Sequence, residues 1–178
     1  PLPATPDLTN LPDSPSTQTL PVQEGTTTAV RALTENDWTS WWRLRLLALA
    51  SHPDAYAQDV RDALAEDVDQ ARERFLTHRI QGDNRIFGSF TPDGELVGIA
   101  SITRSDLRKL RHRMDISGVY VAPAARGNGV GAQVITACID HARAIDGVLQ
   151  IHVGVASHND TAIRLYERCG FDRYAREP

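Results

Sequence analysis

Arg-Gly-Asn-Gly-Val-Gly at positions 126–131 lies between an apolar run with strand character and a run with helical periodicity. Val119 to Val121 lead into Pro123, which ends a strand, and from Val130 apolar residues recur at 130, 134, 135, 138, 139, 142 and 145. Glycines at 127, 129 and 131 carry no Cβ that would hold a ligand off the backbone. The N–H groups of the first helical turn can therefore point at an anion, and a pyrophosphate fits that description. Spacing excludes the two commonest phosphate-binding grammars. A P-loop requires G-x-x-x-x-G-K-[ST], and a dinucleotide fold requires G-x-G-x-x-G near the start of a βαβ unit. Here the glycines read G-x-G-x-G behind an arginine, late in the chain. The expected cradle comprises Arg126, Gly127, Asn128, Gly129, Val130, Gly131 and Ala132.

The pattern along the rest of the chain predicts a strand near 27–32, then a helix over about 35–50 with Thr34 as its cap. Trp38, Trp41, Trp42, Leu46 and Leu49 mark its apolar side. A polar segment leads to a second helix near 66–80. A hairpin pairs 85–90 with 96–103 around Pro-Asp-Gly at 92–94, and a strand over about 112–121 precedes the cradle. Beyond it come a strand at 148–155, a helix over about 160–169 and a short strand after Phe171. Strands outnumber helices and several are hairpin-linked. The expected fold class is therefore α/β, with a mixed, mostly antiparallel sheet flanked by helices.

At 178 residues the chain suits one domain with one sizeable core. The Pro/Thr/Ser-rich segment 1–26 reads as a flexible tail, and 27–178 as the domain. A net charge of −4 gives no case for nucleic acid as a partner. No apolar run approaches the roughly 18 residues of a membrane span, so no membrane partner is expected, and without the apolar core of a signal peptide the expected location is cytoplasmic. Cys138 and Cys169 lack metal-ligand spacing and read as buried small hydrophobes.

Read as [RQ]-x-x-G-x-[GA], with Arg126, Gly129 and Gly131 at the defining positions, the turn resembles the acyl-CoA-binding motif of the GNAT N-acetyltransferase superfamily. Asn-Asp-Thr-Ala-Ile-Arg-Leu-Tyr-Glu-Arg-Cys-Gly-Phe at 159–171 resembles the element that follows it in that superfamily: an Asn, a helix with Leu-Tyr-Glu, then Gly-Phe. The resemblance is clear over 84–174, extends back toward 28 and is absent from the tail. It implies fourth and fifth strands splayed apart around the CoA arm. Gly118, inside the fourth strand, reads either as a bulge that frees backbone N–H groups or as a packing glycine. In the family such amides hold the pantetheine and the thioester carbonyl, and by position they belong to Val119, Tyr120 and Val121.

The same resemblance implies Tyr166 as the acid that protonates the leaving sulfur, the alternative being an aromatic packed beside the pantetheine. Asn159 is a CoA contact, a helix N-cap or both. Asp115 stands eleven residues before Arg126, where several members of the superfamily place a glutamate. Regular alternation puts it on one face with Ser117, Val119 and Val121, as a general base or as an ordinary hairpin-edge carboxylate. His112 and His152 are weaker candidates. The implied activity is transfer of an acetyl group from acetyl-CoA, as cosubstrate, to a primary amine on a small molecule or a protein. It proceeds through a ternary complex without metal or covalent intermediate. A non-catalytic acyl-CoA sensor is the alternative.

Asp54, Asp59, Asp62, Glu66, Asp67 and Asp69 crowd 51–70 and would favour a cationic amine, or are simply a solvated acidic loop and helix start. Arg104, Arg108, Lys109, Arg111 and Arg113 read as a soluble hairpin, or as a surface for an acidic partner. Members of the superfamily commonly continue into a seventh strand, and Pro178 comes only seven residues after Phe171. The edge this leaves could be covered by the N-terminal tail or by a homodimer partner.

Overall fold

The computed structural model describes residues 28–176; the tail expected over 1–26 lies outside them. Five strands form one sheet in the order β1-β2-β3-β4-β5: Ala29–Ala32, Arg85–Phe90, Leu96–Arg104, Arg113–Val121 and Gln150–Val153. Neighbours are antiparallel except β4 and β5, which run parallel. A parallel pair needs a crossover, and α4 (Val130–Arg143) supplies it.

The two faces of the sheet are covered by different helices. On one face α4 buries Val134, Ile135, Cys138 and Ala142 against Ala100, Ile102, Met114 and Ile116, and Tyr166 of α5 (Asp160–Arg168) joins the same cluster. Cys138 is fully enclosed, and burial pushes its thiol up to about 12, which leaves it inert at neutral pH. On the other face α1 (Trp38–Ser51) sets Trp38, Trp41 and Leu44 against Phe75, Ile86, Ile99 and Tyr120.

Asp37 fixes the entry into α1. Its carboxylate accepts from the Thr34 backbone N–H at 2.8 Å and the Thr34 hydroxyl at 3.0 Å, and takes both Arg31 guanidinium nitrogens at 2.7 Å. The Arg31 hydrogen bonds, aided by those from Thr34, hold the carboxyl down at about 2. Asp37→Asn is expected to cost about 1 kcal/mol, discounted for the half-exposed arginine, and to lower Tm by about 2–4 °C. Because the folded pKa lies below the unfolded one, this stabilisation is complete above the ordinary carboxylate range and disappears as pH falls toward 2. Differential scanning calorimetry at neutral pH and near pH 2.5 checks both parts.

One helix is added and one expected strand is missing. The polar segment before 66 holds a short helix, α2 (Val60–Ala65), and the helix expected near 66–80 is α3 (Val68–Arg74) continued by a π turn over Phe75–Arg79. Asp59 accepts from the Arg61 N–H at 2.6 Å and Asp67 from the Gln70 N–H at 3.0 Å. Each aspartate starts a helix, and extended Glu66 separates the two. The strand expected after Phe171 is not formed within 171–176. Asp172, Arg173 and Arg176 offer no apolar alternation, and Tyr174 packs on the His152 ring at 5.3 Å instead.

Candidate active site

The β4–β5 ladder ends where Ile116 faces Val153. Beyond that pair β4 continues to Val121 while β5 gives way to Gly154, Val155 and Ala156, and a cleft opens between them. Gly118, Val119, Tyr56, Asn159 and Tyr166 are among its walls. A bulge produces the divergence. Ile99 faces Tyr120 and Ser101 faces Ser117, so Gly118 and Val119 together oppose Ala100. Gly118 sits at φ +62°, a left-handed conformation that favours glycine.

The bulge also corrects the expected common face of Asp115, Ser117, Val119 and Val121. The added residue turns Val119 toward the α4 cluster with Ile116, whereas Tyr120 enters the α1 cluster.

Backbone direction separates the three expected donors. Ala122 donates to the Val97 carbonyl across β3 at 2.8 Å. Alternation therefore points Tyr120 toward β3 and Val121 away from it. In agreement, the Val121 carbonyl accepts from Arg126 Nε at 3.0 Å and the Val119 carbonyl from the Tyr56 hydroxyl at 2.9 Å. Val119 and Val121 thus face the side that β5 vacates, and Tyr120 spends its backbone groups in the ladder.

The glycine turn follows β4 and meets the cleft through Leu165, which Gly131 packs against. Gly129 is the N-cap of α4 at φ +77°, a Cβ built there would meet nothing within 4 Å, and no side chain caps the helix. The first helical bond runs from the Gln133 N–H to the Gly129 carbonyl. The N–H groups of Val130, Gly131 and Ala132 consequently have no partner within the helix. Gly131 serves packing instead: a Cβ would meet Leu165 of α5 at 3.0 Å. Open space at Gly129, first-turn N–H groups without a helical partner and Arg126 beside the turn fit a pyrophosphate.

Tyr166 projects into the cleft from α5 and is 8% exposed. Burial, with smaller contributions from Tyr56 and Cys169, pushes its hydroxyl up to about 12, so it keeps its proton at neutral pH. Asn159 caps α5 by accepting from the Ala162 N–H at 3.1 Å and also lines the cleft, so both of its expected positions coincide.

Asp115 is not brought to this wall. It lies within the paired part of β4, between Thr103 and His152, with Arg113 Nε 3.7 Å away. His152 contacts Gln150 Oε1 at 3.3 Å and the Tyr174 hydroxyl at 3.2 Å, and His112 Nδ1 lies 3.0 Å from the Lys109 carbonyl.

No acidic side chain lines the cleft among the described residues. Asp59 and Asp67 are occupied as caps and Glu66 pairs with Arg74. In the basic hairpin Arg104 and Arg111 both pair with Asp83. Sequence reasoning missed Tyr56. Its ring stacks under the Arg45 guanidinium at 4.9 Å, and burial pushes its hydroxyl up to about 12. The only signal in the sequence is one aromatic in a polar stretch.

Residues 41–171 match the family model described as the Acetyltransferase (GNAT) family. A mycothiol acetyltransferase from Thermomonospora curvata is 32% identical over 145 residues, 78% of this chain and 42% of that protein. The chain spans under half the length of the first curated relatives it matches. A GCN5-related N-acetyltransferase from Kribbella flavida superposes with a TM-score of 0.71 at 26% identity, over 85% of this chain and 86% of that one. The Salmonella typhimurium protein yncA, solved with its cofactor acetyl-CoA, superposes at 0.65 and 24% identity, over 82% of this chain and 79% of that one. Among the described residues no helix is long and apolar enough to cross a membrane.

Proposed function

The chain belongs to the GNAT acetyltransferase family, and from that premise we propose that it transfers the acetyl group of acetyl-CoA directly to a primary amine in a ternary complex. The observation that carries this reading is the protonated Tyr166 hydroxyl set in a cleft between the split strands, with the anion cradle at the start of α4.

Acetyl-CoA supplies the thioester. The first-turn N–H groups of α4 and Arg126 hold the pyrophosphate. The Val121 N–H, with that of Val119, polarises the thioester carbonyl as negative charge grows on its oxygen. As the amine nitrogen bonds to the acetyl carbon, the carbon–sulfur bond breaks and Tyr166 gives its proton to the departing thiolate. The ammonium proton leaves to water. Ser117, next to the bulge, and Asp115, two residues and about 7 Å farther along the strand, provide a polar route out. On this account Asp115→Asn lowers kcat/KM by no more than about ten-fold, below the usual effect of a direct general base. A loss of a thousand-fold, with a missing acidic limb in the pH profile, would place the carboxylate in direct contact with the amine.

Thermal shift with acetyl-CoA, CoA, ATP and NAD in parallel tests the reading, because bound ligand raises apparent stability. Selective stabilisation by the two CoA ligands, followed by amine-dependent thiol release, is the expected result. Stabilisation by ATP or NAD alone would overturn it, and CoA binding without transfer to any amine would leave an acyl-CoA sensor.

A further inference from the structure

Arg45 and Arg79 are half-buried, and neither has a carboxylate within salt-bridge distance among the described residues. Arg45 lies on α1 one turn beyond Trp41. Its guanidinium stands over the Tyr56 ring at 4.9 Å, and Nη2 reaches only the amide oxygen of Gln58, at 3.3 Å. The Arg79 guanidinium sits over Trp41 at 5.7 Å. Burial pushes both below the ordinary arginine range, and for Arg45 the nearby Arg79 cation adds to the effect. Aromatic faces return part of the lost hydration, yet cations drawn out of water without a counter-charge are unfavourable for folding alone.

Their position relates them to the reaction. Arg45 Nη1 lies 3.8 Å from where a Cβ on Gly118 would stand, directly over the bulge. It is on the α1 face of the sheet, whereas α4 and α5, with the anion cradle and Tyr166, cover the opposite face. Tyr56 connects the two sides: its ring carries Arg45, and its hydroxyl holds the Val119 carbonyl in the cleft. Arg45 thus stands against two residues that line the cleft, Gly118 and Tyr56, and Arg79 lies over Trp41, one turn before Arg45 on α1.

Resting on the acetyl-transfer reading above, we propose that the acceptor amine also carries an oxyanion, carboxylate or phosphate, which Arg45 and Arg79 bind on the α1 side of the cleft. The planar guanidinium fork matches either group in bidentate geometry. This reverses the cationic acceptor suggested by the acidic residues of 51–70, of which Asp59 and Asp67 cap helices and Glu66 pairs with Arg74.

The test uses matched pairs at saturating acetyl-CoA. Amino acids are compared with their amides for carboxylate, and O-phosphoethanolamine with ethanolamine for phosphate, with spermidine as a purely cationic amine. Thiol release gives kcat/KM for each. One of the oxyanion series should exceed its neutral partner by about ten- to a hundred-fold, the range of a charge-assisted hydrogen-bond pair. In Arg45→Gln or Arg79→Gln that ratio should fall toward one while the acetyl-CoA dissociation constant holds. Arg45→Met separates binding from scaffolding: losing an uncompensated cation should leave Tm equal or higher, and a drop of several degrees would make Arg45 structural. Amides or spermidine used as well as the oxyanions would overturn the inference alone. So would Gln variants that weaken acetyl-CoA binding, which would assign the pair to the cofactor. Failure of acetyl-CoA to stabilise the protein would overturn the acetyl-transfer reading and this inference with it.

Discussion

Gly129→Glu is expected to raise the acetyl-CoA dissociation constant by at least about a hundred-fold, because three effects act at one atom position. Gly129 sits at φ +77°, where an L side chain costs roughly 1–2 kcal/mol. The new carboxylate would project from the N-cap of α4 toward the N–H groups of Val130, Gly131 and Ala132 and compete for them. Its charge would also repel a pyrophosphate. Nothing lies within 4 Å of a Cβ at this position, so the fold has room for the substitution and loss of binding would not reflect general unfolding. Isothermal titration of the variant, with Tm as a check on folding, measures the effect. Gly129→Ala, which keeps only the backbone strain, should weaken binding far less. Wild-type affinity in Gly129→Glu would mean that the pyrophosphate does not sit at this helix start.

Tyr166→Phe is expected to lower kcat by about a hundred-fold, at the lower end of the range for a positioned acid, while acetyl-CoA binds within about two-fold of wild type. The substitution keeps the ring that packs edge-on against Phe171 at 6.1 Å and removes only the hydroxyl. Since burial pushes that hydroxyl up to about 12, the wild-type rate should show no loss of this acid between neutral pH and about pH 10. Single-turnover thiol release across that range separates chemistry from product release. Unchanged kcat in the variant would move the acid role elsewhere, first to Tyr56, whose hydroxyl is also in the cleft.

The cradle was readable because its determinants are local: glycines at fixed offsets and a helical period that begins at Val130. Gly118 was readable for the same reason, since a glycine inside a strand announces a bulge. What the bulge does to its neighbours was not. Alternation counted straight through Gly118 places Val119 on the Asp115 face, and one added residue transfers it to the other. The short helix α2 before Glu66 was hidden by a run of acids that suits one helix start as well as two. Arg45 was the least accessible. Within α1 it reads as one more cation on an amphipathic helix, and only the pairing of β3 with β4 brings Gly118 beneath it. Tyr56, similarly, acquires its place through a hydrogen bond that spans 63 residues.

Gly131 and Leu165 bring the start of α4 against α5. Leu165 immediately precedes Tyr166, and a Cβ at position 131 would stand only 3.0 Å from it. The missing methyl therefore acts as a spacer of zero thickness between the start of α4 and the α5 helix. Adding it would make the end of the Leu165 side chain give by a few tenths of an ångström, right beside Tyr166. On the acetyl-transfer reading proposed above, this glycine lets the turn that would hold the cofactor lie directly against the helix that carries Tyr166.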